Sequence, residues 1–236
     1  MPGQKITIQS NSSSADRTLT ALLIIQAVTL FVALPLNELG PRWRFLVGLC
    51  HLAFGVLSLG MLTRHTLVRG MLLIGIFILA VGPIADRAFA AHSSLSLIAV
   101  HDLIAGVAFT FDAVISVLVF RRVFASGPVT SQQVQGGVLL YLNVAAIFAI
   151  TFGVLESHVP GSFVTGDGKL LALTLTTRTA ALSYFSFSTI TTVGYGDVIP
   201  HLPVARTLAV IEAAFGQLYP ATLLARLVGL RLSSKI

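Results

Sequence analysis

The chain has 236 residues, of which 55% are hydrophobic and only 10% charged, and its mean hydropathy is +0.90. That balance excludes an ordinary soluble domain, which needs far more polar surface. Lys and Arg number 15 against 9 Asp and Glu, a formal charge of +6. The basic residues sit at the ends of apolar runs and form no stripe interleaved with aromatics, so no nucleic-acid partner is expected.

Six apolar segments follow one another, at about 18–36, 45–62, 68–85, 96–120, 137–155 and 205–230. A helix rises about 1.5 Å per residue, so roughly 20 residues cross a hydrocarbon core of about 30 Å. The polar start, Met1 to Thr18, is too long and too weakly basic to open a cleavable signal, so the first segment is expected to be retained. Cys50, the sole cysteine, lies inside the second segment and rules out an intrachain disulfide or a thiolate cluster. The third segment is the weakest: Met71 to Ala85 is short and carries Gly82-Pro83, but Arg69 and Asp86-Arg87 bound it.

The fourth segment, Leu97 to Phe120, contains no Arg or Lys and carries His101, Asp102 and Asp112 instead. The two carboxylates are too far apart along a helix to act as one site, at about 15 Å. Two readings stay open for Asp102, Asp112 and His51. They pair with polar groups on neighbouring spans, or they form a proton- or ligand-responsive site. His158 and His201 are expected near the outer mouth, either as proton-responsive groups or as exposed histidines with no role.

Arg121-Arg122 closes the fourth segment, and Ser126-Gly127-Pro128 opens a turn-rich stretch that runs to Gly136-Gly137. This divides the chain into a four-helix region at 1–122, a linker at 123–136 and a two-span region at 137–236. No cytoplasmic ligand-binding domain is expected beyond the last span. The fold class expected is an all-α membrane protein of six transmembrane helices with both termini on one side. With those termini cytoplasmic, Lys5, Arg17, Arg64, Arg69, Arg121, Arg122, Arg226, Arg231 and Lys235 face inward, and Arg42, Arg44, Arg87, Lys169, Arg178 and Arg206 face outward. The inward excess has the sign that orients membrane proteins.

Between the last two spans, from about Glu156 to Pro203, lies Thr191-Thr192-Val193-Gly194-Tyr195-Gly196-Asp197. Irregular backbone at membrane depth is tolerated only where it lines a watery cavity or is buried in protein. Gly194 and Gly196 take positive φ without steric cost, which lets the carbonyls of Thr192, Val193, Gly194 and Tyr195 turn toward a common axis. Gly166-Asp167-Gly168, in the same stretch, is a turn signal and not a phosphate loop. No nucleophile, base and oxyanion arrangement suggests an enzyme.

Ser186-Phe187-Ser188-Thr189-Ile190 followed by T-T-V-G-Y-G-D resembles the pore helix and selectivity filter of tetrameric potassium channels, whose carbonyl filter is known by this string. The resemblance covers the two-span half, and Leu224-Ala225-Arg226-Leu227-Val228-Gly229 is similar to the inner helix of small bacterial members. It implies a re-entrant pore helix at about Arg178 to Ile190, capped by Thr177 or Thr179. It further implies potassium ions held by Thr192, Val193, Gly194 and Tyr195, with Gly196, Asp197, Tyr184 and Ser188 as support. Tyr184 and Phe185 match an aromatic cuff, with core packing an equal reading for Phe185. Gly216 and Pro220 match a hinge or gate, with close helix packing the other reading, and Gln217 and Leu224 match cavity lining. Ser188 stands where some members keep a glutamate. Glu212 either serves a related purpose or pairs with a pore-helix hydroxyl.

The implied protein is a homotetramer in the lipid bilayer, in a bacterial cytoplasmic membrane, that passes potassium and needs no cofactor. Voltage-gated members carry arginines at every third position of the fourth span, because one charge moved through 100 mV gains about 2.3 kcal/mol. The fourth segment here has none, so that sensor is not expected. A non-selective cation channel and a non-conducting regulatory subunit are the competing readings. An intact Thr192 to Asp197 weighs against both.

Overall fold

The computed structural model describes residues 18–36, 41–62, 70, 73–76, 94–125, 130–171 and 175–233. In chain order these form α1 (Thr18–Ala33), α2 (Pro41–Leu62), α3 (Ser94–Val123), α4 (Ser131–His158), β1 (Phe163–Thr165), α5 (Leu175–Ile190), β2 (Val198–Pro200) and α6 (Pro203–Ser233). Three of these helices carry stretches long and apolar enough to cross a membrane: Ala99–Val123, Ser131–His158 and Pro203–Gly229. Thr18–Ala33 and Leu46–Ser58 are shorter apolar stretches. The third expected span, 68–85, lies mostly outside the described residues, as do Lys5, Arg17, Arg64, Arg69, Arg87 and Lys235.

Local chemistry explains several boundaries. α1 widens into a π-helical turn at Thr29–Ala33, where the Thr29 hydroxyl donates to the Ile25 carbonyl at 2.7 Å. Pro35 follows and cannot donate to the ladder. α4 begins at Ser131, well before the expected 137, because Thr130 and Gln133 form a capping box. Each side chain bonds the other's backbone N–H, which supplies partners for donors that a helix start leaves free. The expected linker therefore shrinks at both ends, since α3 also runs on to Val123. α5 starts at Leu175, so Thr177 and Thr179, expected as caps, lie inside it. α6 starts with Pro203 in its first turn, where a missing N–H costs nothing.

Among the described residues, an antiparallel strand pair, β1 with β2, departs from the helical pattern, in register Phe163↔Pro200, Val164↔Ile199 and Thr165↔Val198. It joins the loop after α4 to the segment before α6.

Among the described residues three apolar clusters organise the packing, the smallest being Leu30, Leu142 and Ala146. Leu19 and Leu22 of α1, Phe54 of α2, and Phe111, Ile115 and Val119 of α3 pack with Leu139 and Leu140 of α4 and Tyr219 of α6. The second cluster lies on α5 and holds Phe152, Phe163, Leu171, Leu182, Phe185, Ala205 and Ala209. Phe152, Phe163 and Phe185 form an edge-on triad with centroids 5.2–5.3 Å apart, the arrangement aromatic quadrupoles favour. Polar groups also cross between helices. Asn143 Nδ2 of α4 donates to the Asp112 carbonyl and to the Ser116 hydroxyl of α3, each at 3.3 Å.

The far end of α6 is fastened to the turn between α3 and α4. Arg226 donates from Nη1 to the Val123 carbonyl and from Nη2 to the Ala125 carbonyl, both at 2.9 Å. Its guanidinium also lies 4.7 Å from the centre of the Phe124 ring. The last carbonyls of a helix lack partners of their own and carry partial negative charge, so a cation suits them. Arg226→Gln is expected to lower stability by about 1–3 kcal/mol, read as a lower Tm in detergent. Arg226→Lys should restore only part of the loss, because an ammonium cannot reproduce the planar fork.

Candidate functional site

α5 ends at Ile190 and the T-T-V-G-Y-G-D string begins at once, so the negative end of the helix dipole abuts it. The string is irregular but anchored. Thr192 N–H donates to the Thr189 carbonyl at 2.9 Å, and Val193 and Gly194 N–H both donate to the Ser188 carbonyl, at 2.9 and 3.2 Å. Tyr195 N–H donates to the Ser188 hydroxyl at 3.4 Å. Ser188 thus holds three successive string residues through its backbone and side chain.

Thr192, Gly194 and Gly196 all have positive φ, at 61°, 56° and 78°. Every second residue is therefore left-handed. The glycines were the expected positions. Thr192 was not, and a β-branched residue in this region is strained. All seven residues from Thr191 to Asp197 are exposed in the single chain, with Val193 at 53% and Tyr195 at 71%.

The two aromatic residues singled out in the sequence have different fates. Tyr184 is exposed and stacks on Tyr195, with centroids 6.0 Å apart and planes within 9°. Phe185 turns the other way and is buried in the triad with Phe152 and Phe163. A groove of about 260 Å³ beside them is lined by Leu30, Phe31, Tyr184, Phe187, Val193 and Tyr195 among others. Phe31 of α1 meets Phe187 there at 5.3 Å.

Behind α5 sits a knot of polar groups from three helices. The Tyr141 hydroxyl of α4 donates to the Ile190 carbonyl at 2.7 Å. Gly216 of α6 lies so close to the same peptide that a Cβ there would collide with the Ile190 backbone. The Ser186 hydroxyl contacts the Ala145 carbonyl at 2.7 Å and Glu212 Oε1 at 2.5 Å. Of the two readings for Glu212, the contact with an α5 hydroxyl is the one present. For Gly216, close helix packing is present. Pro220 sits in a helix that runs unbroken from Pro203 to Ser233. Gln217, Pro220 and Leu224 are exposed on α6, with their spacing placing them on one face.

On the other side of the string, the loop after α4 closes over it. Gly166 N–H donates to the Asp197 carbonyl at 2.8 Å, and a Cβ on Gly166 would come within 2.5 Å of the Gly196 carbonyl. Gly168 takes φ 80° in the same turn. Asp167, paired with Lys169 at 2.5 Å and bonded to the Thr165 hydroxyl, has its carboxyl held below the usual carboxylate range, mainly by the Lys169 ammonium. Glu156 is buried and accepts from the Gly161 N–H at 3.0 Å and the Phe163 N–H at 2.9 Å. The loop is therefore seated at both ends.

The remaining candidates stay apart from this site. His158 Nε2 meets Asp102 Oδ2 at 3.2 Å, joining α4 to α3. Among the described residues His51 bonds its own helix, at the Val47 carbonyl, 2.9 Å away. His201 is exposed, and its N–H donates to the Ser162 carbonyl at 2.8 Å.

Sequence reasoning missed Tyr141, Glu156 and Gly166 as neighbours of the string. Gly166 had been read as a turn signal alone. The contacts of Tyr141 with Ile190 and of Ser186 with Ala145 join residues 41 or more positions apart, so no local pattern announces them. Gly216→Ala separates packing from hinge. Alanine favours an unobstructed helix interior by about 1 kcal/mol. Against the Ile190 backbone the sign reverses, and the variant is expected to have a lower Tm than the native chain in detergent. Tyr141→Phe should cost about 0.5–1.5 kcal/mol by the same measurement.

Comparison with known proteins bears on this segment. Residues 173–230 match a family model described as an ion channel. They span all of α5, the string and most of α6. The inward rectifier potassium channel Kirbac3.1 of Paramagnetospirillum magnetotacticum is 35% identical over 83 residues, which make up 34% of this chain and 23% of that protein. The match spans less than a quarter of that relative's length.

Proposed function

We propose that this chain is the pore-forming subunit of a potassium-selective channel that conducts passively through a homotetramer. The observation that carries the reading is the anchored string from Thr192 to Gly196, left-handed at every second residue and exposed throughout. Alternating handedness is what turns successive carbonyls toward one axis, and four such loops replace the hydration shell of a potassium ion. In this reading Thr192, Val193, Gly194 and Tyr195 bind the ion through their carbonyls. Gly196, Asp197, Tyr184 and Ser188 support the filter, and α5 is the pore helix. Gln217 and Leu224 line the inner cavity, and α6 bends near Gly216 and Pro220 when the pore opens. The ion-channel match over 173–230 and the potassium-channel relative support this assignment.

The exposure of Val193 and Tyr195 supports assembly, since neighbouring copies would cover them. Residues 1–122 act as a four-helix scaffold beside a pore domain at 137–236, giving six spans in all with cytoplasmic termini in a bacterial membrane. In α3 no Arg or Lys precedes Arg121, so the scaffold does not sense voltage by the arginine mechanism.

In a planar bilayer with unequal potassium and sodium, the reversal potential is expected close to the potassium equilibrium potential. A value near zero with open current would make the channel non-selective. Crosslinking in mild detergent should give tetramers, and monomers or dimers alone would overturn the assembly. Gly194→Ala should abolish potassium current, since φ 56° is costly for a residue with a Cβ.

A further inference from the structure

Glu212 lies on α6, wholly buried at 0% exposure, and its Oε2 has no hydrogen-bond partner. Its Oε1 is 2.5 Å from the Ser186 hydroxyl, which is itself 2.7 Å from the Ala145 carbonyl. Protons can be counted here. A serine hydroxyl has one proton to give, and a backbone carbonyl has none. The Ala145 contact therefore takes the Ser186 proton. The Glu212 contact then closes as a hydrogen bond only if the carboxyl brings a proton of its own.

The surroundings point the same way. A buried carboxylate with one oxygen unpartnered would bear a heavy desolvation cost, and a neutral acid far less. The ion pairs among the described residues are His158–Asp102 and Lys169–Asp167, so no basic group neutralises Glu212. Of the elements packed against it, α4 contributes Tyr141, the titratable neighbour close enough to interact with it electrostatically, and α5 contributes Ser186. Glu156 of α4 is engaged with the loop amides, and Arg206 of α6 with the Pro200 carbonyl at 3.2 Å.

We propose that Glu212 is a proton-carrying, neutral carboxyl that positions the pore helix by donating a hydrogen bond to Ser186. The chain of donation then runs from α6 through α5 to α4, ending on the Ala145 carbonyl. Ser186 lies two residues before Ser188, which anchors the filter amides. Loss of the Glu212 proton breaks this chain and leaves an unpaired charge behind the filter. The consequence for ion passage rests on the channel reading, whereas the protonation state does not.

The test has two arms. Infrared difference spectra between native protein and Glu212→Gln, recorded in membranes near neutral pH, are expected to show the carbonyl stretch of a protonated carboxylic acid that the variant lacks. A difference confined to ionised carboxylate bands would overturn the proposal whether or not the protein conducts. In the second arm potassium flux into vesicles is followed as pH rises from about 6 to about 9, short of ordinary tyrosine ionisation. Native flux should fall with rising pH, and Glu212→Gln, which still donates to Ser186, should stay level. Glu212→Ala should lose at least about fivefold at every pH. A Gln variant that keeps the native pH profile would also overturn the proposal.

Discussion

The carbonyl of Ile190 is the point on which the rest depends. It ends α5 and precedes the irregular string, so its position sets where that string begins. Tyr141 of α4 holds it by a hydrogen bond, and Gly216 of α6 is close enough to exclude any side chain between them. Irregular backbone cannot satisfy itself as a helix does, and water is scarce at membrane depth. Rigidity must therefore come from neighbours, and here it comes from both long helices of the two-span half at once.

Much of the architecture was legible in the sequence because it is written in local patterns. The apolar segments match the helices α1 to α4 and α6 closely, and the glycines at 194 and 196 declared their positive φ through the missing Cβ. The start of α4 was equally legible in principle. Thr130 and Gln133 are a capping box, yet the polar run around them reads as linker when the three-residue spacing is overlooked. Thr192 is different in kind, since nothing in a β-branched residue announces left-handed backbone. Its strain is imposed by anchoring of its own N–H to Thr189 and of the next N–H, from Val193, to Ser188.

The site's supporting groups were illegible for a physical reason. Tyr141, Arg226, and Ser186 toward Ala145 act by contacts across large sequence separations, where a polar residue in an apolar run could face any neighbour. Phe185 shows the same limit. Adjacent to Tyr184 in sequence, it lies on another side of α5, and only the presence of Phe152 and Phe163 makes that side the buried one. Periodicity tells which residues share a face. It does not tell what that face meets.

The Arg226 fastening gives α6 the character of a lever with two bearings. One is the close contact of Gly216 with Ile190, and the other is the guanidinium seated on the turn that ends α3. About 15 Å of helix separates them. A sideways shift of that turn by 2 or 3 Å, on the order of a side chain's breadth, would swing α6 about its upper bearing by roughly ten degrees. The exposed face carrying Gln217, Pro220 and Leu224 lies along this arm, so small travel at the α3–α4 turn becomes a larger displacement of that face.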